Sequence, residues 1–258
     1  MSDTRPPQAP DASPLEVPLR ATPATSPVAP DETQLELPLE TPRETPSQPP
    51  LKIALPKGSL YADSVKLLAR AGLDTAGLEK PGRQLMIATE GYQFFIVRPT
   101  DVPVFTSLGG VDCALCGYDS LAEQGLELVE LVDLRFGACR FVVAEPEDAR
   151  QRAEHSYQRR GVMRVATKYP AITQDYYDRI GVQVEIVKLH GNVELAPLSG
   201  LAERIVDITA TGATLRENRL VVVDEVLAST ARFVGNTASV RTDPRIRALA
   251  RSLATLVR

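Results

Sequence analysis

From residue 51 onward, short apolar runs alternate with stretches whose apolar positions recur every three or four residues. Leu51-Lys52-Ile53-Ala54-Leu55 alternates as a strand does, Pro56-Lys57-Gly58-Ser59 turns the chain, and Leu60, Ser64, Val65 and Leu68 then share one helical face. Leu85-Met86-Ile87-Ala88 and Phe94-Phe95-Ile96-Val97 predict a hairpin or two neighbouring strands. Further strands are predicted over 162–167, 182–187, 220–224 and 231–234. A charged surface helix fits 146–160, Pro170 opens a helix that Gly181 stops, and a last helix starts near Pro244. Strand and helix in short alternating units predict a parallel α/β architecture.

The first 50 residues are a different material. They hold 13 of the 21 prolines, no glycine and no aromatic residue, with 3 basic against 8 acidic side chains. Such a segment has too little apolar surface to offset its ordering entropy, and residues 1–50 are expected to be a disordered, Pro-rich, acidic tail. Residues 51–258 carry 26 basic and 25 acidic side chains, so no nucleic-acid surface is expected. Without a signal peptide or a membrane-length apolar run, the expected location is the cytoplasm.

Cys113 and Cys116 lie in the apolar run Val111-Asp112-Cys113-Ala114-Leu115-Cys116, with Cys139 apart, and are expected to be buried structural residues rather than metal ligands. His155 and His190 have no nucleophile pattern around them, and no metal site is expected in the protein itself.

The stretch with the most chemical content is 194–215, ELAPLSGLAERIVDITATGATL. An apolar run carrying Asp207 delivers the chain into Thr209-Ala210-Thr211-Gly212-Ala213-Thr214 at the head of an expected helix. Backbone N–H groups at a helix start lack partners, so an anion can complete them; Gly212 lets the backbone approach, and the threonines add hydroxyl donors. An ionised Asp207 only accepts, which suits sugar hydroxyls rather than phosphate oxygens. The loop is therefore read as a cradle for a ribose 5-phosphate. A nucleotide-triphosphate P-loop is excluded by its missing lysine.

The spaced string E-x5-G-x-A-x2-I-x-D-I-x2-T-G-x-T-L from Glu194 to Leu215 resembles the signature of the ATP phosphoribosyltransferase family. The resemblance extends to Pro56-Lys57-Gly58, to Arg98-Pro99-Thr100-Asp101-Val102-Pro103, and to the segment from Gly109 to Asp119, covering roughly 51–236. Departures are Cys113-Ala114 where Leu-Gly is usual, Tyr118 for a frequent basic residue, and Gln93 for a common arginine. The resemblance implies two α/β lobes with a cleft between them, like a periplasmic binding protein. Residues 51–135 plus 225–258 would form the first lobe and 136–224 the second.

It also implies transfer of the 5-phosphoribosyl group of phosphoribosyl pyrophosphate to N1 of ATP, the first step of histidine biosynthesis. Lys57, Arg98 and Asp207 would be catalytic. Glu194, Asp207, Thr209, Ala210, Thr211, Gly212, Ala213 and Thr214 would bind phosphoribosyl pyrophosphate, and Arg98, Asp112 and Asp119 would bind ATP. Mg²⁺ would arrive on the substrate. With the last helix ending at Arg258, the short form of the family is expected, partnered by a separate regulatory subunit resembling a histidyl-tRNA synthetase. A two-lobed module that binds a small molecule or nucleotide without catalysis, or a degenerate regulatory paralogue, stays open from the residues alone.

Overall fold

The computed structural model describes residues 48–148 and 150–258, so the expected tail falls outside the described residues except for its last three positions. In chain order the elements are β1 (Leu51–Pro56), α1 (Tyr61–Arg70), β2 (Met86–Thr89), β3 (Tyr92–Val97), α2 (Val102–Ser107), β4 (Cys113–Gly117), α3 (Tyr118–Gln124) and β5 (Val129–Asp133). There follow β6 (Cys139–Pro146), α4 (Arg150–Arg160), β7 (Met163–Thr167), α5 (Pro170–Arg179), β8 (Val184–Lys188), α6 (Leu195–Leu198), β9 (Arg204–Thr209), α7 (Ala213–Glu217) and β10 (Leu220–Ser229). The chain ends with β11 (Ala231–Gly235), α8 (Thr237–Thr242) and α9 (Pro244–Leu256).

These strands build two sheets, ordered β2-β3-β1-β4-β11-β5 and β10-β6-β9-β7-β8. Each has a parallel block, β3-β1-β4 in the middle of the first and β9-β7-β8 at one side of the second. The remaining pairings are antiparallel, so both sheets are mixed rather than parallel throughout. The physical reason is connection length. β2 and β3 are joined by a two-residue turn, which brings the chain straight back and forces antiparallel pairing, whereas a parallel neighbour needs a long crossover. The chain passes between the sheets twice, through residues 134–138 and through Thr230. β10 pairs with β6 from Leu220 to Ser229, so the seam expected at 224/225 falls inside a strand of the second sheet, and the return passage lies at Thr230.

Side-chain alternation supplies a core on each face of each sheet. Ile53 and Leu55 face α1 and α9 with Leu68, Phe233, Ile246 and Leu253, while Ala54 faces the other way with Val102 of α2. Val206 packs with Phe141, Val165 and Tyr177, and its neighbour Ile205 packs on the opposite face with Ala196 of α6 and Leu215 of α7. Cys113 and Cys116 are fully buried on opposite faces of β4, which makes them core residues, and burial pushes both thiols up. Among the described residues no helix is long and apolar enough to cross a membrane.

Candidate active site

The parallel strands of each sheet bring their carboxyl ends to one edge, and ligands of open α/β sheets gather there. In the first sheet, Pro56 of β1 stands beside Val97 of β3, so Lys57 and Arg98 are the next residues past adjacent strand ends. The Lys57 N–H donates to Val97 O at 2.7 Å, and Gly58, at φ +105°, takes the left-handed turn into α1. Asp119 enters from the end of β4. Its N–H donates to Ser229 Oγ (3.0 Å), and the same hydroxyl donates to Asp119 Oδ1 (2.8 Å). A Cβ on Gly117 would lie 2.1 Å from that Oδ1, so any side chain there would displace the carboxylate that folds back.

Asp112 is not brought to this edge. It precedes β4, whereas Asp119 follows it, and a strand rising about 3.3 Å per residue separates its two ends by the strand's length. Asp112 Oδ2 accepts the Lys52 N–H (2.9 Å) and Oδ1 accepts the Ser239 hydroxyl (3.0 Å), tying β1 to α8. Its carboxylate is thus engaged as a tie at the end of the sheet opposite Lys57 and Arg98.

In the second sheet β9 ends at Thr209 and the loop to α7 is closed by its own side chains. Thr209 Oγ1 accepts the Gly212 N–H (2.8 Å), Thr211 Oγ1 accepts the Ala213 N–H (3.4 Å), and the Arg216 guanidinium donates to Thr211 O (2.9 Å). Gly212 caps α7 at φ +72°. Asp207 is buried, 7% exposed, on the sheet face that carries α6 and α7. Burial pushes its carboxyl up; the Ile208 backbone and the Lys168 charge pull it down, and Glu194 at the N-terminus of α6 pushes it up again.

A cavity of about 470 Å³ joins the two edges: Lys57, Gly117 and Asp119 line it from the first sheet, and Tyr169, Thr209 and Ala210 from the second. Burial, then the charges of Asp207 and Asp119, raises the Tyr169 phenol to about 12, so it stays a neutral donor. A larger cavity of about 940 Å³ lies at the opposite end of the second sheet. Its lining includes Gly200 and Ala202 of the signature string but none of the residues expected to bind substrate or take part in catalysis, and its Arg164 and Glu203 are already paired at 2.6 Å.

Tyr169 and Cys139 line the cavity, and Lys168 and Glu123 are tied to its surroundings through Asp207 and α5; none of the four was read from the sequence as a site residue. Lys168 had a usable signal, since it follows a predicted strand and precedes a predicted helix as Lys57 does. Glu123 had none, because its partners are the backbone N–H groups of Ala171 and Ile172 (3.2 and 3.1 Å) across the two sheets.

The family model described as ATP phosphoribosyltransferase matches residues 98–255. An ATP phosphoribosyltransferase of Rubrobacter xylanophilus is 47% identical over 191 residues, covering 74% of this chain and 88% of the relative. One from Moorella thermoacetica is 47% identical over 199 residues, covering 76% and 87%. Among solved structures, a chain of the ATP phosphoribosyl transferase (HisG:HisZ) complex from Thermotoga maritima superposes with a TM-score of 0.67 at 32% identity, covering 80% of this chain and 97% of that one. The Bordetella pertussis BvgS VFT2 domain, with a TM-score of 0.51 at 15% identity over 81% and 88%, shares the fold alone.

Proposed function

Because the chain belongs to the ATP phosphoribosyltransferase family, we propose that the cavity between its two sheets is where it carries out that family's reaction. The reaction transfers the 5-phosphoribosyl group of phosphoribosyl pyrophosphate to N1 of ATP and opens histidine biosynthesis, a cytoplasmic task. N1 already holds a lone pair, so no side-chain base is needed to create the nucleophile. The N1–C1 bond forms, the C1–O bond breaks, and the electron pair leaves with pyrophosphate. What the protein must do is align the two substrates and balance positive charge at C1 against negative charge on the leaving group.

The observation that carries this reading is the convergence of Lys57 and Asp119 from one sheet with Thr209 and Ala210 from the other on a single cavity. The loop 209–214 holds the 5-phosphate. Because the Thr209 and Thr211 hydroxyls accept N–H groups of their own loop, their O–H hydrogens remain to donate outward. Asp207, with Glu194 beside it, accepts the ribose hydroxyls, and its charge faces the sugar as positive charge develops. Lys57 and Arg98, past neighbouring strand ends, serve the pyrophosphate and the ATP phosphates; the planar Arg98 fork also suits the purine face.

Mg²⁺ is a hard cation that usually enters on substrate phosphates with one or two carboxylates, and Asp119 supplies such oxygens in the cavity. When bound, the ion neutralises charge on the leaving pyrophosphate.

The partner reading rests on the Thermotoga maritima chain, which comes from a HisG:HisZ complex and is covered over 97% of its length. The regulatory subunit is then a separate protein resembling a histidyl-tRNA synthetase, and histidine inhibits only when that subunit is present. Pyrophosphate release from ATP plus phosphoribosyl pyrophosphate, measured with and without the subunit, tests both points. No release in either preparation overturns the activity. Inhibition of the isolated chain by histidine overturns the regulatory division.

A further inference from the structure

β7 and β9 run parallel with Thr167 opposite Val206, so Lys168 and Asp207 are the next pair at the carboxyl edge of the second sheet. Lys168 Nζ lies 3.5 Å from Asp207 Oδ2, with the lysine side chain 35% exposed and the carboxylate side chain 9%. The other oxygen, Asp207 Oδ1, is buried and without a hydrogen-bond partner among the described residues. Buried polar oxygens are nearly always paired, and one left bare near the carboxyl edge of the sheet, one residue before the cavity-lining Ile208, is an acceptor whose donor comes from outside.

The turn that carries Lys168 is held from several sides. The Tyr169 N–H donates to Thr167 Oγ1 (2.9 Å), and the Thr173 hydroxyl donates to Tyr169 O (2.7 Å). Glu123 of the first sheet's α3 then takes the first free N–H groups of α5. The ammonium is thus delivered to Asp207 from a backbone fixed to both sheets.

We propose that Lys168 is a positioning residue for the phosphoribosyl transfer: it holds Asp207 through Oδ2 as an oriented carboxylate and leaves Oδ1 to accept a hydroxyl of the incoming sugar. This rests on the reading of the cleft as the phosphoribosyl pyrophosphate site. The groups around Asp207 agree with it. Glu194 of α6 opposes its ionisation and Tyr169 stands neutral on the same turn as Lys168, while β6 and α7 present the apolar Val142 and Leu215. Arg216 of α7 is engaged with Thr211 O. Lys168 is the side-chain cation that favours the charged carboxylate.

The test is the pH dependence of kcat/KM for phosphoribosyl pyrophosphate, measured on the full chain with its regulatory subunit. The variants are Lys168→Met, Lys168→Gln, Lys168→Arg and Asp207→Asn. Loss of an opposite charge at this range moves a carboxylate by about 1 pH unit or more, so the acid limb should move upward by that much in Lys168→Met and Lys168→Gln. Lys168→Arg should restore the wild-type limb. Substrate ionisation is common to all the proteins and cancels in the comparison. In an Asp207→Asn background, Lys168→Met should cost little more, because the group it acts through is gone.

A lysine that merely stabilises the fold would lower Tm and leave the limb where it was. An unmoved limb in both neutral variants, or a full Lys168→Met loss on top of Asp207→Asn, overturns the proposal. If Lys168→Met fails to fold, the limb of Lys168→Gln decides. A wild-type protein without pyrophosphate release overturns the functional reading itself; a working wild type with an unmoved limb overturns only the role of Lys168.

Discussion

Asp207 shows at a single residue how function and stability pull apart. Burial raises its carboxyl above the ordinary 3.8, so the folded state favours the neutral form. A carboxyl raised in this way contributes stability at pH below its unfolded value, and that contribution is lost as pH rises through the folded value. At neutral pH the charge is a cost that the site tolerates for its chemistry. Asp207→Asn is therefore expected to unfold at the same temperature as wild type or higher near pH 7, while kcat/KM for phosphoribosyl pyrophosphate falls about ten- to a hundredfold through loss of a charge-assisted hydrogen bond. Thermal unfolding and steady-state kinetics on one preparation check both halves. Gly212 makes a different point: at φ +72° any side chain is strained, and its Cβ would lie 3.1 Å from Arg216 Nη1. Gly212→Val is expected to lose about 1–3 kcal/mol to backbone strain and to raise KM for phosphoribosyl pyrophosphate more than KM for ATP. Equal KM values for both substrates, unchanged from wild type, would make the loop an ordinary turn.

Among the elements, α5 is unusual in where its cap comes from. Tyr169 at its N-cap offers no side-chain acceptor. The carboxylate that takes the Ala171 and Ile172 N–H groups instead belongs to Glu123, on a helix of the other sheet. A local cap would stabilise α5 alone; this one also fixes the start of α5, with Lys168 and Tyr169, against the sheet that carries Lys57. Glu123→Ala is expected to lower stability by about 1–2 kcal/mol, the usual range for a lost cap. It should also raise KM for phosphoribosyl pyrophosphate, whereas Ala substitution at an ordinary cap remote from the cleft would lower Tm only. Urea unfolding and substrate titration separate the two.

For the whole molecule, the two sheets each complete a core within residues 51–258, and the first core strand begins at Leu51. Arg245 donates to Pro49 O at 2.9 Å, so that the useful boundary lies just before this contact. Deleting residues 1–47, a segment without glycine or aromatic side chains, is expected to leave Tm and turnover unchanged. A large drop in Tm would assign that segment a part in the fold.

What the sequence by itself determined was local: the strand-turn-helix opening from Leu51, the strand pair before Arg98, the Pro170 start, the core cysteines, and the loop 209–214, whose hydrogen bonds span only a few residues. Lys57 and Asp207 were legible because each follows or ends an apolar run, while Asp119 came from the resemblance; the direction of a strand decides which edge its last residue reaches. Asp112 came from the resemblance as well; it precedes its strand, and the five residues of β4 set it at the other edge from Asp119. Tertiary structure alone decided the mixed sheets, the passage at Thr230, and the pairings of Lys168 with Asp207 and Glu123 with α5. Those contacts join residues far apart in the chain. Periodicity within a segment states which face is buried, but it carries no information about which distant segment will meet it there.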